Sequence, residues 1–139
     1  MELTANWSRK LTDDGRAIRE AVFLDEQQFS YEFDDTDDIA YHLVVYLGSK
    51  PAAVARIFEK ENGVWAIGRV AVSKEYRGMK IGNFIVKATK EQIIKLGGKR
   101  AYLGAQKRVQ QFYEKNGYTV CGNDYYDEYC LHVPMEKQL

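Results

Sequence analysis

The stretch EYRGMKIGNF, residues 75–84, concentrates more chemistry than any other part of this sequence. Arg77, Gly78, Lys80 and Gly82 fall within six positions, after a strand-like run (VWAIGRVAV) and before a helical pattern. A strand that turns into a helix leaves backbone N–H groups free at the helix start, where the peptide dipoles add partial positive charge. Gly78 and Gly82 would let the backbone take unusual dihedrals and approach a ligand closely. Arg77 and Lys80 add full charges, and together these features suit a diphosphate. The stretch is neither a P-loop nor a dinucleotide fingerprint, lacking GxxxxGK[ST] and GxGxxG. The alternative is a plain left-handed turn that happens to be basic. Two other residue types could do chemistry. His42 and His132 each stand alone on strand-like runs, where a histidine is either a proton acceptor or a structural residue. Cys121 and Cys130 have no metal-ligand spacing and form no disulfide framework, and no metal site is predicted. They flank GNDYYDEY symmetrically, so a tight hairpin would bring them opposite one another.

Charge is segregated along the chain although the formal net charge is zero. Positions 25–38 hold seven acids and no base, whereas positions 74–115 hold eleven bases and three acids. The division suggests an anionic partner on one side and a cationic one on the other, against the alternative of two solvated faces. The acidic stretch is not an EF-hand, because the required glycine and terminal glutamate are missing. A chain of 139 residues with 45% apolar content fits one globular domain, 1–139. No apolar run approaches membrane-spanning length and the start has no apolar leader core, so a cytoplasmic protein with no membrane partner is expected.

The elements that would position these residues follow from periodicity. LTANW reads as a first strand, and TDDGRAIREAVFLDEQ as a helix capped by Thr12. Positions 29–40 read as a loop. AYHLVVYL, AAVARIFEK and VWAIGRVAV, joined by GSKP and ENG, read as an antiparallel meander. The pattern from Ile81 is helical and stops at Gly97–Gly98. RAYLGA is strand-like, QKRVQQFYEKNG helical, and YTVCG and EYCLHVPM close the chain as strands. The fold class is α+β, a mixed but mostly antiparallel sheet of about six to seven strands flanked by helices.

VAVSKEYRGMKIGNFIV followed by AYLGAQKRVQQFYEKNGY resembles the GNAT superfamily of acyl-CoA-dependent N-acetyltransferases. That family carries [QR]xxGx[GA] between a strand and a helix, then a helix ending in YxxxG[FY]. Arg77 and Gly82 match the ends of the first motif, and Tyr113 and Gly117 match the second. REAVFLDEQQF, DDTDDIAYHLVVY and YCLHVPM extend the resemblance to the small bacterial ElaA/YjcF-like branch, over roughly residues 16–135. The sequence departs at Lys80, where a glycine is usual, at Gln106, in place of asparagine, and at Val109, in place of alanine. Lysine tolerates φ > 0 poorly, so position 80 is expected in the first helical turn with its ammonium toward phosphate or solvent.

The resemblance implies acetyl-CoA as cosubstrate. Val70, Ala71 and Val72 would lend backbone groups to the pantetheine arm. Arg77, Gly78, Met79, Lys80, Ile81, Gly82 and Asn83 would hold the diphosphate. Gln106 stands where the family's asparagine does, and Lys107, Arg108 and Lys115 are loose candidates for the 3′-phosphate. Tyr113 would protonate the departing thiolate, against the alternative of a core tyrosine. A base must take a proton from the acceptor amine: Glu26 is the first candidate, then His42 and His132. Residues 32–38 could attract a cationic amine or be solvated. Arg56 or Arg69 could pair with these acids or bind a carboxylate on the acceptor. The implied reaction is acetyl transfer to a primary amine of a small molecule or peptide by direct attack in a ternary complex. The alternative is a non-catalytic module that senses acyl-CoA. No nucleic-acid partner is expected, because the aromatics do not interleave with the bases. Exposed strand edges and ten tyrosines fit a monomer or a homodimer.

Overall fold

The computed structural model describes residues 2–30 and 32–139; Tyr31, inside the predicted loop, lies outside the described residues. Strand β1 (Leu3–Ser8) leads to α1 (Asp13–Arg19), whose Thr12 cap accepts a hydrogen bond from Gly15 N–H at 3.2 Å. The predicted helix does not continue evenly. Residues Glu20–Glu26 widen into a π-helical segment, closed by Gln27 N–H bonding back to Val22 C=O. Strands β2 (Tyr41–Leu47), β3 (Lys50–Glu61) and β4 (Val64–Val72) form the expected antiparallel meander. Helix α2 (Ile81–Lys95), β5 (Arg100–Gln106), α3 (Gln110–Lys115), β6 (Thr119–Val120), β7 (Tyr125–Asp127) and β8 (Cys130–Gln138) complete the chain. Both long-range stops hold. Helices α2 and α3 end at Gly97 (φ 88) and Gly117 (φ 90), with Gly98 and Tyr118 N–H bonded five residues back to Ile93 and Tyr113 C=O.

The sheet runs β1-β2-β3-β4-β5-β8-β6, with β7 also on β8, so it has eight strands. Among the described residues only the β4–β5 pair is parallel. The extra strand, β7, has exposed residues throughout and no apolar alternation to announce it. Alternation sorts the core correctly elsewhere. Leu43, Val45 and Leu47 pack with Ile81 and Ile85 of α2, whereas Val44 packs with Ile18 and Val22 on the other face. A third cluster joins Trp65, Ile67, Leu103, Tyr113, Val133 and Met135. The cysteines do not meet. The tight hairpin pairs Asp127 with Cys130, while Cys121 N–H bonds to Pro134 C=O four residues further along β8. Among the described residues, no helix is long and apolar enough to cross a membrane.

Candidate active site

Strands β4 and β5 pair from Val64–Arg100 to Ile67–Leu103 and no further. Beyond that point a cavity of about 920 Å³ opens between residues 68–72 of β4 and 104–106 of β5. A bulge in β4 lies at the divergence. Against β3 the register steps from Arg56–Gly68 to Val54–Ala71, so Arg69 and Val70 together face Ala55. Arg69 is left-handed, at φ 50. Val70, Ala71 and Val72 line the cavity, and the loss of pairing to β5 leaves that backbone edge open to a guest.

The basic turn sits at one end of this cavity. Gly78 is left-handed at φ 83 and lines it. Lys80 is left-handed as well, at φ 61 and ψ 24, and is the N-cap of α2 rather than a first-turn residue. The expectation of an ordinary φ at position 80 is therefore overturned. The turn reverses direction just before the helix, and the lysine carries a strain of about 1–2 kcal/mol in consequence. Gly82 departs from expectation in the other direction. It is helical, and its requirement is steric: a Cβ there would stand 3.1 Å from the Phe112 ring. The α2 N-terminus has no side-chain cap and no acid in its first turn, so its N–H groups and positive end face outward unopposed. Ile81 is buried in the core and can offer a ligand only its backbone. Met79 is exposed, and Asn83 accepts from Asn116 Nδ2 at 3.5 Å. Arg77 is already engaged. Its Nε donates to Val72 C=O at 3.0 Å, and its fork meets both oxygens of Glu26 at 2.5 and 2.7 Å. The hydrogen bond from Arg77 holds the Glu26 carboxyl below the usual carboxylate range.

Tyr113 and His132 lie on the cavity wall, whereas Glu26 and His42 do not. The Tyr113 ring is 8% exposed and packs edge-on against Phe112 and Tyr118. Burial pushes its phenol up to about 12. Among the described residues the His132 side chain makes one hydrogen bond, from Nδ1 to Cys130 C=O at 3.0 Å. A carbonyl can only accept, so Nδ1 carries the proton and Nε2 of the neutral ring is the basic nitrogen. The ring stacks on Tyr125, 5.5 Å away. Gly104 makes room for that tyrosine, whose hydroxyl occupies the space a Cβ on residue 104 would take. His42 is buried and held by its Nε2 against Asp37 C=O at 2.9 Å. Desolvation lowers its pKa, so it is a neutral structural donor. Gln106 spends its amide within the protein, donating to Gln27 Oε1 at 2.9 Å and accepting from Arg108 Nε at 2.9 Å.

The acidic stretch is divided: Asp35 and Asp38 are exposed, whereas Glu32 and its neighbours pair with arginines. Glu32, Asp34 and Asp37 turn inward and alternate with Arg19, Arg56 and Arg69 in a closed ring. Glu32 bridges Arg19 (3.0 Å) and Arg69 (2.9 Å), Asp34 bridges Arg69 (3.2 Å) and Arg56 (2.7 Å), and Asp37 bridges Arg56 (2.8 Å) and Arg19 (2.8 Å). Both strand arginines thus pair with these acids. Burial works against ionising Asp37, but the hydrogen bonds from Arg19 and Arg56 outweigh it and bring its carboxyl to about 2. A second feature had no sequence signal. Ser30 N–H and hydroxyl donate to Glu128 Oε1 at 2.9 and 2.6 Å, the Tyr129 ring stacks on Phe29, and its hydroxyl donates to Gln27 C=O. This clasp joins the loop after the π-helical segment to the β7–β8 hairpin beside the cavity. Its halves are 98 to 102 positions apart, and each looks like an ordinary polar turn.

Comparison with known proteins agrees with this architecture. The acetyltransferase (GNAT) domain family matches residues 9–139. The uncharacterized N-acetyltransferase YjcF of Bacillus subtilis is 32% identical, over 89% of this chain and 90% of its own length. Escherichia coli ElaA is 31% identical over 88% of this chain and 84% of its own. The solved ElaA structure superposes with a TM-score of 0.83, covering 98% of each chain at 28% identity. A solved Lactobacillus plantarum protein reaches 0.90 at 28% identity, over 100% of this chain and 99% of its own.

Proposed function

Since this chain belongs to the acetyltransferase (GNAT) family and is an acyl-CoA-dependent N-acetyltransferase, we propose that it acetylates a primary amine by direct attack on acetyl-CoA, with Tyr113 serving the sulfur and His132 the amine. The observation that carries the reading is the cavity between the splayed strands. Its wall holds the Tyr113 and Tyr125 phenols and the His132 imidazole, and its rim holds Arg77 and Gly78 of the basic turn. The diphosphate would lie over residues 77–83, where unopposed N–H groups and Lys80 favour it. The pantetheine arm would run along Val70, Ala71 and Val72, whose backbone would also polarise the thioester carbonyl.

An alkylammonium with a pKa of about 10.4 is protonated at neutral pH and must lose a proton to attack. His132 supplies the imidazole on the cavity wall, and its ring is fixed by the Cys130 carbonyl. Glu26 is a weaker choice, because its carboxylate is ion-paired outside the cavity. The ammonium first gives one proton to solvent, the C–N bond forms as the amine's second proton passes to His132, and the C–S bond then breaks. The thiolate accepts a proton from Tyr113, which regains one from the His132 side, leaving amide and free CoA thiol. A phenol at about 12 is protonated throughout the neutral range, so it is always a donor. Full transfer to a thiolate of pKa about 8.5 is uphill by roughly 5 kcal/mol, so the phenol stabilises the departing sulfur mainly as a hydrogen-bond donor until His132 returns the proton.

The test is thiol release from acetyl-CoA against a panel of amines, with CoA binding followed by calorimetry. The reading expects thiol release with at least one primary amine and a strong loss in His132→Gln. Tight CoA binding with no thiol release across the panel would instead mark a non-catalytic acyl-CoA sensor.

A further inference from the structure

The closed ring of charges lies behind the β4 bulge, and Arg69 belongs to both. A residue with φ > 0 at a bulge is ordinarily glycine, because any Cβ is strained there. Here it is an arginine, and its side chain is tied down at three acceptors. Nε donates to the Glu32 carbonyl at 3.0 Å and lies 2.9 Å from the Glu32 carboxylate, while Nη2 reaches Asp34 at 3.2 Å. Those two carboxylates are fixed in turn by Arg19 and Arg56, which rise from α1 and β3. The pairing of β4 to β5 ends two residues before this anchor, and the cavity begins there.

We propose that Arg69 is a positioning residue: the ring of three arginines and three carboxylates clamps its left-handed backbone and so holds the β4 edge in the shape that receives the pantetheine arm. The inference rests on the acyl-CoA reading of the cavity. Arg69 touches no ligand atom in this role. It acts through the backbone of Val70, Ala71 and Val72, which follow it directly. The acidic stretch accordingly serves the thioester end of the cosubstrate rather than the acceptor.

The experiment compares two ligands, CoA and 3′-phosphoadenosine 5′-diphosphate, which lacks the pantetheine arm. Calorimetry on the full chain gives their affinity ratio. In wild type CoA binds the tighter. In the double variant Glu32→Gln/Arg69→Gly the ring stays neutral and glycine keeps the left-handed backbone accessible. The ratio is expected to fall about tenfold, the loss of one or two backbone hydrogen bonds, while nucleotide affinity stays within about twofold. Amide NMR shifts at residues 70–72 should move in the same variant. Arg69→Lys keeps the charge but cannot bond two partners as a fork, and it carries the same expectation if the double variant does not fold. An unchanged ratio in a folded variant overturns the clamp, as do equal losses for both ligands. Failure of wild type to bind CoA at all would overturn the acyltransferase reading instead.

Discussion

Replacing Glu26 by glutamine separates two roles for the residue that pairs with Arg77. The carboxylate holds the guanidinium fork at 2.5 and 2.7 Å, on side chains 37% and 40% exposed. Exposed pairs of this kind contribute roughly 0–1 kcal/mol, so Glu26→Gln should lower stability by no more than about 1 kcal/mol. The same pair competes with phosphate for Arg77. Freeing that arginine and removing a negative charge beside the diphosphate should strengthen CoA binding by a similar energy, about fivefold at 1 kcal/mol. The assay is calorimetric titration with CoA at fixed, low ionic strength, since exposed charges are otherwise screened. Turnover with a competent amine should persist, because His132 rather than Glu26 is taken as the base. Weakened CoA binding would show that the Arg77–Glu26 pair builds the phosphate site instead of competing with it. A hundredfold loss of turnover at unchanged affinity would return the base to Glu26.

Tyr113→Phe should lower turnover by about 10²-fold, the scale of one positioned proton donor, with CoA affinity within a few-fold; equal losses in steady-state and binding measurements would mark a packing role. Lys80→Gly should relieve the left-handed strain and raise thermal stability by up to about 1 kcal/mol, or roughly 3 °C in a melt, while weakening CoA by one lost charge; an unchanged affinity would place the ammonium away from the phosphates. Asp37, at about 2 in the fold against about 3.9 unfolded, contributes roughly 2–3 kcal/mol that is complete above pH 4 and lost as pH falls through 2. Acid melts of Asp37→Asn should therefore lack most of that pH dependence. Ile85→Ala, at a fully buried position between α2 and the sheet, should cost about 2–5 kcal/mol in a denaturant titration.

Local rules carried the sequence a long way where the cause was local. The strands of the meander alternate, Thr12 caps α1, and Gly97 and Gly117 end the helices with the backbone that glycine permits. The basic turn at 77–83 was legible because a strand, a glycine and a helix follow one another directly. Lys80 was misjudged because its intrinsic preference lost to the surrounding turn, which fixes a left-handed residue before the helix. The acidic stretch was legible only in part: pairing with Arg56 or Arg69 was one expectation, but a ring closed through Arg19 was not. Its partners, Arg19, Arg56 and Arg69, lie 13 to 37 positions away, and a run of carboxylates shows nothing in sequence of the cations folded against it. The π-helical widening after Arg19 was hidden too, since apolar spacing fits the regular helix as well. His132 could be found only as one of two solitary histidines. The cavity wall, and the carbonyl that fixes its tautomer, distinguish it from His42.

The closed ring also determines how salt should act on this molecule. Its charges sum to zero, their nearest contacts are 2.7–3.2 Å, and the Arg19, Glu32 and Arg56 side chains are no more than 6% exposed. Mobile ions screen over about 8–10 Å of solvent and have little access to pairs held this closely inside the fold. The basic turn is the opposite case, an exposed cationic site proposed to receive a polyanion. Raising ionic strength should therefore loosen the nucleotide end of the cosubstrate while leaving the bulge, and the cavity it opens, as they are.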